Sequence, residues 1–131
     1  MQLLQIDVEG PGNERYSVEV DIEETANERA VEIKYAVARV DRQPVVAKIY
    51  FDPGEGVIHM TGLEVAIAGY MACLIACGLG HLAQALLDCW KRGHRTPRQL
   101  LGCMRDKGHS ISLSLVNCSV ACLSSVVAGT P

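Results

Sequence analysis

Cys73, Cys77 and His81 recur at intervals of four in the stretch YMACLIACGLGH, and Cys118 and Cys122 repeat that interval near the end of the 131-residue chain. Side chains four apart stack along one side of a helix. Two such helices facing each other would gather four thiolates and an imidazole, a donor set used by zinc and iron–sulfur centres. The surroundings argue for a plainer role. Each pair sits among Ala, Leu and Ile instead of on a C-x2-C knuckle, and ligands spaced by four drift by about 40° per step around a helix. The expectation is therefore thiols that fill narrow gaps in a core, with no metal and no cofactor. A Cys-ligated metal or redox protein using Cys73, Cys77, Cys118 and Cys122, with His81, is the alternative.

Six cysteines also raise the question of disulfides. The chain opens on a strand-like segment and not on a signal peptide, so a reducing, cytoplasmic setting is expected, where even numbers of cysteines carry little meaning.

A second cluster is cationic. WKRGHRTPR, residues 90 to 98, holds Trp90, Lys91, Arg92, Arg95 and Arg98 between two helical segments. Such a group can contact phosphates with Trp90 stacking, or complement a helix C-terminus while Trp90 seals a core edge. Four cations on a chain of net charge −3 are a weak nucleic-acid signal, and an acidic protein surface is the better partner. Charge is divided unevenly: residues 1 to 60 carry twelve acids and six bases, residues 61 to 131 three acids and six bases. Glu19, Asp21 and Glu23 alternate along one strand and form the complementary acidic face.

No catalytic set emerges. His59, His81, His94 and His109 are scattered, GLGH lacks the third glycine and preceding strand of a dinucleotide loop, and no nucleophile elbow or phosphate loop occurs. His59 is read as a hydrogen-bonded structural histidine near the first helix.

The elements that must position these residues follow from hydrophobic period. Leu4, Ile6 and Val8 alternate with Gln5, Asp7 and Glu9; Tyr16, Val18, Val20 and Ile22 alternate with Ser17, Glu19, Asp21 and Glu23. GPGN between them makes a hairpin. Val31, Ile33, Tyr35 and Val37, then Val45, Ala47, Ile49 and Phe51, continue the period across DRQP; DPGEG turns into a short fifth strand, VIHM. Short links imply an antiparallel meander.

At Thr61 the period becomes helical. T-G-L-E reads as a capping box opening a helix over 61–92, bent near Gly78 and Gly80. T-P-R-Q at Thr96 opens a second helix that Gly108 ends. The segment 109–129 alternates over Ile111, Leu113 and Leu115 but recurs helically over Val116, Val120, Leu123 and Val127, and a helix is preferred on length. The small residues Gly69, Cys73, Cys77 and Gly80, flanked by Ala72, Ala76 and Ala83, predict close approach of another helix, either 118–125 of the same chain or a second copy.

Together these features predict one α+β domain over 1–131, an antiparallel sheet of about five strands (1–60) packed on a helical layer (61–131). The expected function is a small non-enzymatic protein-interaction module of the inhibitor, adaptor or immunity type, with a homo-oligomer expected and nucleic acid and membrane not expected as partners. The uncharged run 65–87 is long enough to cross a bilayer and the run 109–129 is also uncharged, so a membrane-associated helical hairpin carrying a soluble sheet is a second alternative. Against it stand His81 and Gln84 inside the run and the absence of an aromatic or basic belt at its Glu64 end.

Overall fold

Alternating apolar side chains commit the first half of the chain to strands, and the computed structural model closes them into one sheet. It describes residues 1–65, 67 and 69–127, with side chains described up to 125. The five strands, β1 (Gln2–Glu9), β2 (Arg15–Glu24), β3 (Val31–Arg39), β4 (Val45–Asp52) and β5 (Val57–Thr61), lie in sequence order, each antiparallel to the last. Register aligns the inward residues into rows: Ile6, Val18, Val37 and Val45 form one, Ile22, Ile33, Ile49 and Met60 another. The meander is thus as predicted. Asp52 makes its last turn, with its Oδ1 accepting the Gly54 N–H at 2.8 Å and its carbonyl accepting from Glu55 and Gly56.

Three helices cover the inward face: α1 (Tyr70–Lys91), α2 (Pro97–Asp106) and α3 (Gly108–Val127). Helix α1 buries Leu74, Leu79, Leu82 and Leu86 against the sheet, each contributing roughly 1.5–3 kcal/mol. Tyr70, at its first turn, is hydrogen-bonded through its hydroxyl to the carbonyls of Glu9 and Ser119, both at 3.1 Å, so one phenol joins the end of β1, the start of α1 and the middle of α3. Helix α3 settles the ambiguous last segment in favour of a helix through residue 127; the expected core side chain of Val127 and the stretch to Gly129 lie outside the described residues.

The helix start is a correction. The T-G-L-E box does not open α1: Thr61 ends β5 opposite Lys48, and α1 begins nine residues later. Gly62 has φ 87°, and its Cα lies so close to the Val46 carbonyl that a side chain would overlap it. The Glu64 carboxylate still reaches back, but it accepts the Gly62 N–H at 3.1 Å and closes a local turn. The true N-cap is Gly69, at φ 75° and ψ −142°, a conformation open to glycine and closed to most other residues. Ala66 and Ala68, within the helix expected over 61–92, lie outside the described residues.

Nor does Gly108 simply end α2. That helix stops at Asp106, and Gly108 is the first residue of α3 after a single intervening residue. The T-P-R-Q box behaves as read: Thr96 Oγ1 accepts the Gln99 N–H at 3.2 Å. The return arm slips by one residue, Gln99 Oε1 taking the N–H of Arg95 at 2.9 Å.

Candidate functional site

Several interactions hold the cationic turn between α1 and α2 in place. Helix α1 ends in a Schellman motif: the Gly93 N–H donates to the Trp90 carbonyl at 3.0 Å and the His94 N–H to the Cys89 carbonyl at 3.3 Å, with Gly93 at φ 99°. Only glycine enters that region cheaply, which explains the Gly between Arg92 and His94. The Arg95 guanidinium lies 3.7 Å from the Trp90 ring centroid and donates to the carbonyls of Trp90 and His94. Trp90 itself meets Phe51 edge-on, with ring centroids 5.5 Å apart. Beneath them a Cys89–Cys103 disulfide joins the end of α1 to α2.

Of the five residues expected to bind a partner here, the structure therefore uses two for construction. Trp90 is half-buried between Phe51 and Arg95, in the role of sealing a core edge, and Arg95 is its cover. Lys91, Arg92 and Arg98 stand exposed. Among the described residues no ion pair involves any of the three. Lys91 and Arg92 sit at the C-terminal carbonyls of α1, where cations are favoured, whereas Arg98 lies in the first turn of α2, where the helix dipole does not favour it.

The acidic residues lie elsewhere. Glu19, Asp21 and Glu23 project from the outward face of β2, on the side of the sheet away from the helices, with Asp21 opposite Lys34 and Glu23 opposite Glu32. Lys48 reaches Glu32 at 3.7 Å, an exposed pair of small energetic weight. The turn and the acidic face are thus on different layers of the fold and do not meet within one chain.

The cysteines depart from the gap-filling expectation. All six pair: Cys73 with Cys122, Cys77 with Cys118 and Cys89 with Cys103. The first two pairs are successive rungs between antiparallel α1 and α3, since a step of four forward on one helix meets a step of four back on the other. The small-residue stripe accordingly finds its close partner within the chain. Drift around the helix, which weakens convergence of many ligands on one point, matters little for separate rungs. His81 follows one turn beyond Cys77, and a ring nitrogen of His81 and the sulfurs of Cys77 and Cys118 lie within 4.8 Å of one another. His81 also lines a cleft of about 140 Å³ between α1 and α3, with Asp88, Lys107, Ser110 and Ser114.

Other candidates resolve simply. His59 is exposed on edge strand β5 opposite Tyr50, in place of the structural histidine expected from sequence. Three tyrosines are perturbed by burial. Desolvation, with the Glu14 carboxylate as hydrogen-bond acceptor at 2.8 Å, pushes Tyr16 up to about 12. Burial likewise raises Tyr35 and Tyr70 above the ordinary phenol range. These phenols serve packing and joining, and none lines the cationic turn.

Comparison with protein-family models, curated proteins and solved structures finds no match. The functional reading rests on the geometry of this chain.

Proposed function

We propose that this chain is a non-enzymatic protein-interaction module that presents Lys91, Arg92 and Arg98 to an acidic protein surface, and that the Glu19, Asp21 and Glu23 face of a second copy is such a surface. One observation carries the reading: three exposed cations without an ion pair among the described residues, Lys91 and Arg92 at the end of α1 and Arg98 in the first turn of α2, flank a turn held by a Schellman motif, a cation–π contact and a disulfide. A pre-ordered turn loses little conformational freedom on binding, so its charges act with less entropic opposition than on a loose loop. Because turn and acidic face occupy different layers, pairing between copies is head-to-tail.

Three disulfides support an oxidising compartment in place of the cytoplasmic setting expected from sequence. Helix α1 is long and apolar enough to cross a membrane. Burial of its leucines against the sheet supports reading it as the central core helix.

Sedimentation velocity across a range of salt concentrations tests the reading. Association that weakens as salt rises, and that is lost in Lys91→Glu/Arg92→Glu/Arg98→Glu, is expected. A charge-reversed chain that associates like the parent contradicts it.

A further inference from the structure

Among the described residues, the Cys77–Cys118 rung is the one disulfide whose two sulfurs have a histidine ring nitrogen within 4.8 Å. We infer that, once this rung is reduced, Cys77, Cys118 and His81 form a binding site for a thiophilic divalent cation, zinc being the natural occupant. The inference is independent of the cationic turn.

The donor types are right: two thiolates and one imidazole are a ligand set that tetrahedral zinc accepts, with Zn–S near 2.3 Å and Zn–N about 2.0–2.1 Å. Those bond lengths place ligand atoms roughly 3.5–3.8 Å apart around a tetrahedron. The three donor atoms already lie within 4.8 Å of one another, and the Cα atoms of Cys77 and Cys118 are 5.8 Å apart. Opening the bond lets the sulfurs part through side-chain torsions while the helices remain close. Two ligands come from α1 at a spacing of four and the third from α3, so only one step of helical drift enters the site. Cys77 is half-buried and His81 is exposed at the edge of a cleft, so water reaches the imidazole side of the site.

The redox step balances with a dithiol as reductant. Its thiolate attacks one sulfur of the rung, the Cys77–Cys118 bond breaks, and the other cysteine leaves as thiolate. The second thiol of the reductant then displaces the mixed disulfide, so the reductant ends as a cyclic disulfide and both cysteines end reduced. The cation displaces the thiol protons to solvent and takes a lone pair from neutral His81.

The test uses the full chain, reduced with a dithiol, desalted without oxygen and titrated with Co²⁺, whose thiolate charge-transfer and tetrahedral ligand-field bands report the ligand set. One equivalent should bind to the reduced chain, be displaced by Zn²⁺ and be absent from the oxidised chain. His81→Ala should weaken binding by about tenfold or more and change the ligand-field bands, since even outer partners of a metal site are worth roughly 10–100-fold. Cys73→Ser/Cys122→Ser should keep one full-affinity site. Cys77→Ser/Cys118→Ser should lose it. No Co²⁺ binding to the reduced parent would overturn the inference, as would an unaltered spectrum and affinity in His81→Ala or loss of the site in Cys73→Ser/Cys122→Ser. His81 is exposed, so its variant decides the matter even where a double-serine chain does not fold.

Discussion

Tyr35 of the central strand and Gly78 of α1 are in close contact: the Tyr35 hydroxyl donates to the Leu74 carbonyl at 3.0 Å, in space that a methyl group on residue 78 would occupy. The glycine is there for the tyrosine. A long apolar helix thereby gains a buried polar anchor, and α1 runs unbroken through both of its glycines.

Gly78→Ala is expected to destabilise the fold by about 1–3 kcal/mol, although alanine is the better helix former by about 1 kcal/mol, because overlap with a fully buried ring outweighs propensity. Urea unfolding of the two chains measures it. Equal or greater stability in Gly78→Ala would refute the close contact.

The two rungs between α1 and α3 are nested, residues 77–118 inside 73–122. Chain entropy then predicts non-additive losses. Removing either rung alone leaves the large loop closed and costs about 2.7 kcal/mol, for a residual loop of roughly ten residues. Removing both costs about 7 kcal/mol, because closure of a loop of roughly fifty residues is lost as well. Denaturation of the two double-serine variants and the quadruple variant checks this; simple additivity would contradict it.

Trp90 is the sole tryptophan of the chain, so its fluorescence reports the cationic turn without interference. Arg95→Ala should increase acrylamide quenching of Trp90 and reduce stability by about 0.5–1 kcal/mol, the weight of a cation–π contact at an exposed site. Unchanged quenching would mean that Arg95 does not cover the ring.

Stability should fall at alkaline pH. Tyr16, Tyr35 and Tyr70 all have folded pKa values above the ordinary 10, so the folded chain holds protons that the unfolded chain releases. The contribution is complete below pH 10 and is lost as pH rises towards the folded value, about 12 for Tyr16. Urea midpoints measured from pH 9 upward should decline from near 10, less steeply in Tyr16→Phe.

Much of this architecture was legible because strands write their burial into a two-residue period. Tyr16, Val18, Val20 and Ile22 are all buried, and their alternation also assigned Glu19, Asp21 and Glu23 to the outer face. The start of α1 was not legible. T-G-L-E has the local chemistry of a cap, but pairing of Thr61 with Lys48 and packing of Gly62 on the Val46 backbone are tertiary facts that override it. The site was half legible. Composition marked residues 90–98 as cationic, whereas the division of labour that ties Arg95 to Trp90 and leaves Lys91, Arg92 and Arg98 outward depends on the turn geometry. For the cysteines, the shared spacing of four was visible on both segments. Pairing as rungs required knowing that α1 and α3 run antiparallel at disulfide distance.

The most direct test of the proposed interaction is a charge swap within one chain. Lys91, Arg92 and Arg98 become Glu while Glu19, Asp21 and Glu23 become Lys, which leaves the net charge at −3. Each half-swap alone sets like charges against each other across the head-to-tail contact and should abolish self-association in sedimentation velocity; the complete swap should restore it. A complete swap that stays monomeric, or half-swaps that associate like the parent, would contradict the account.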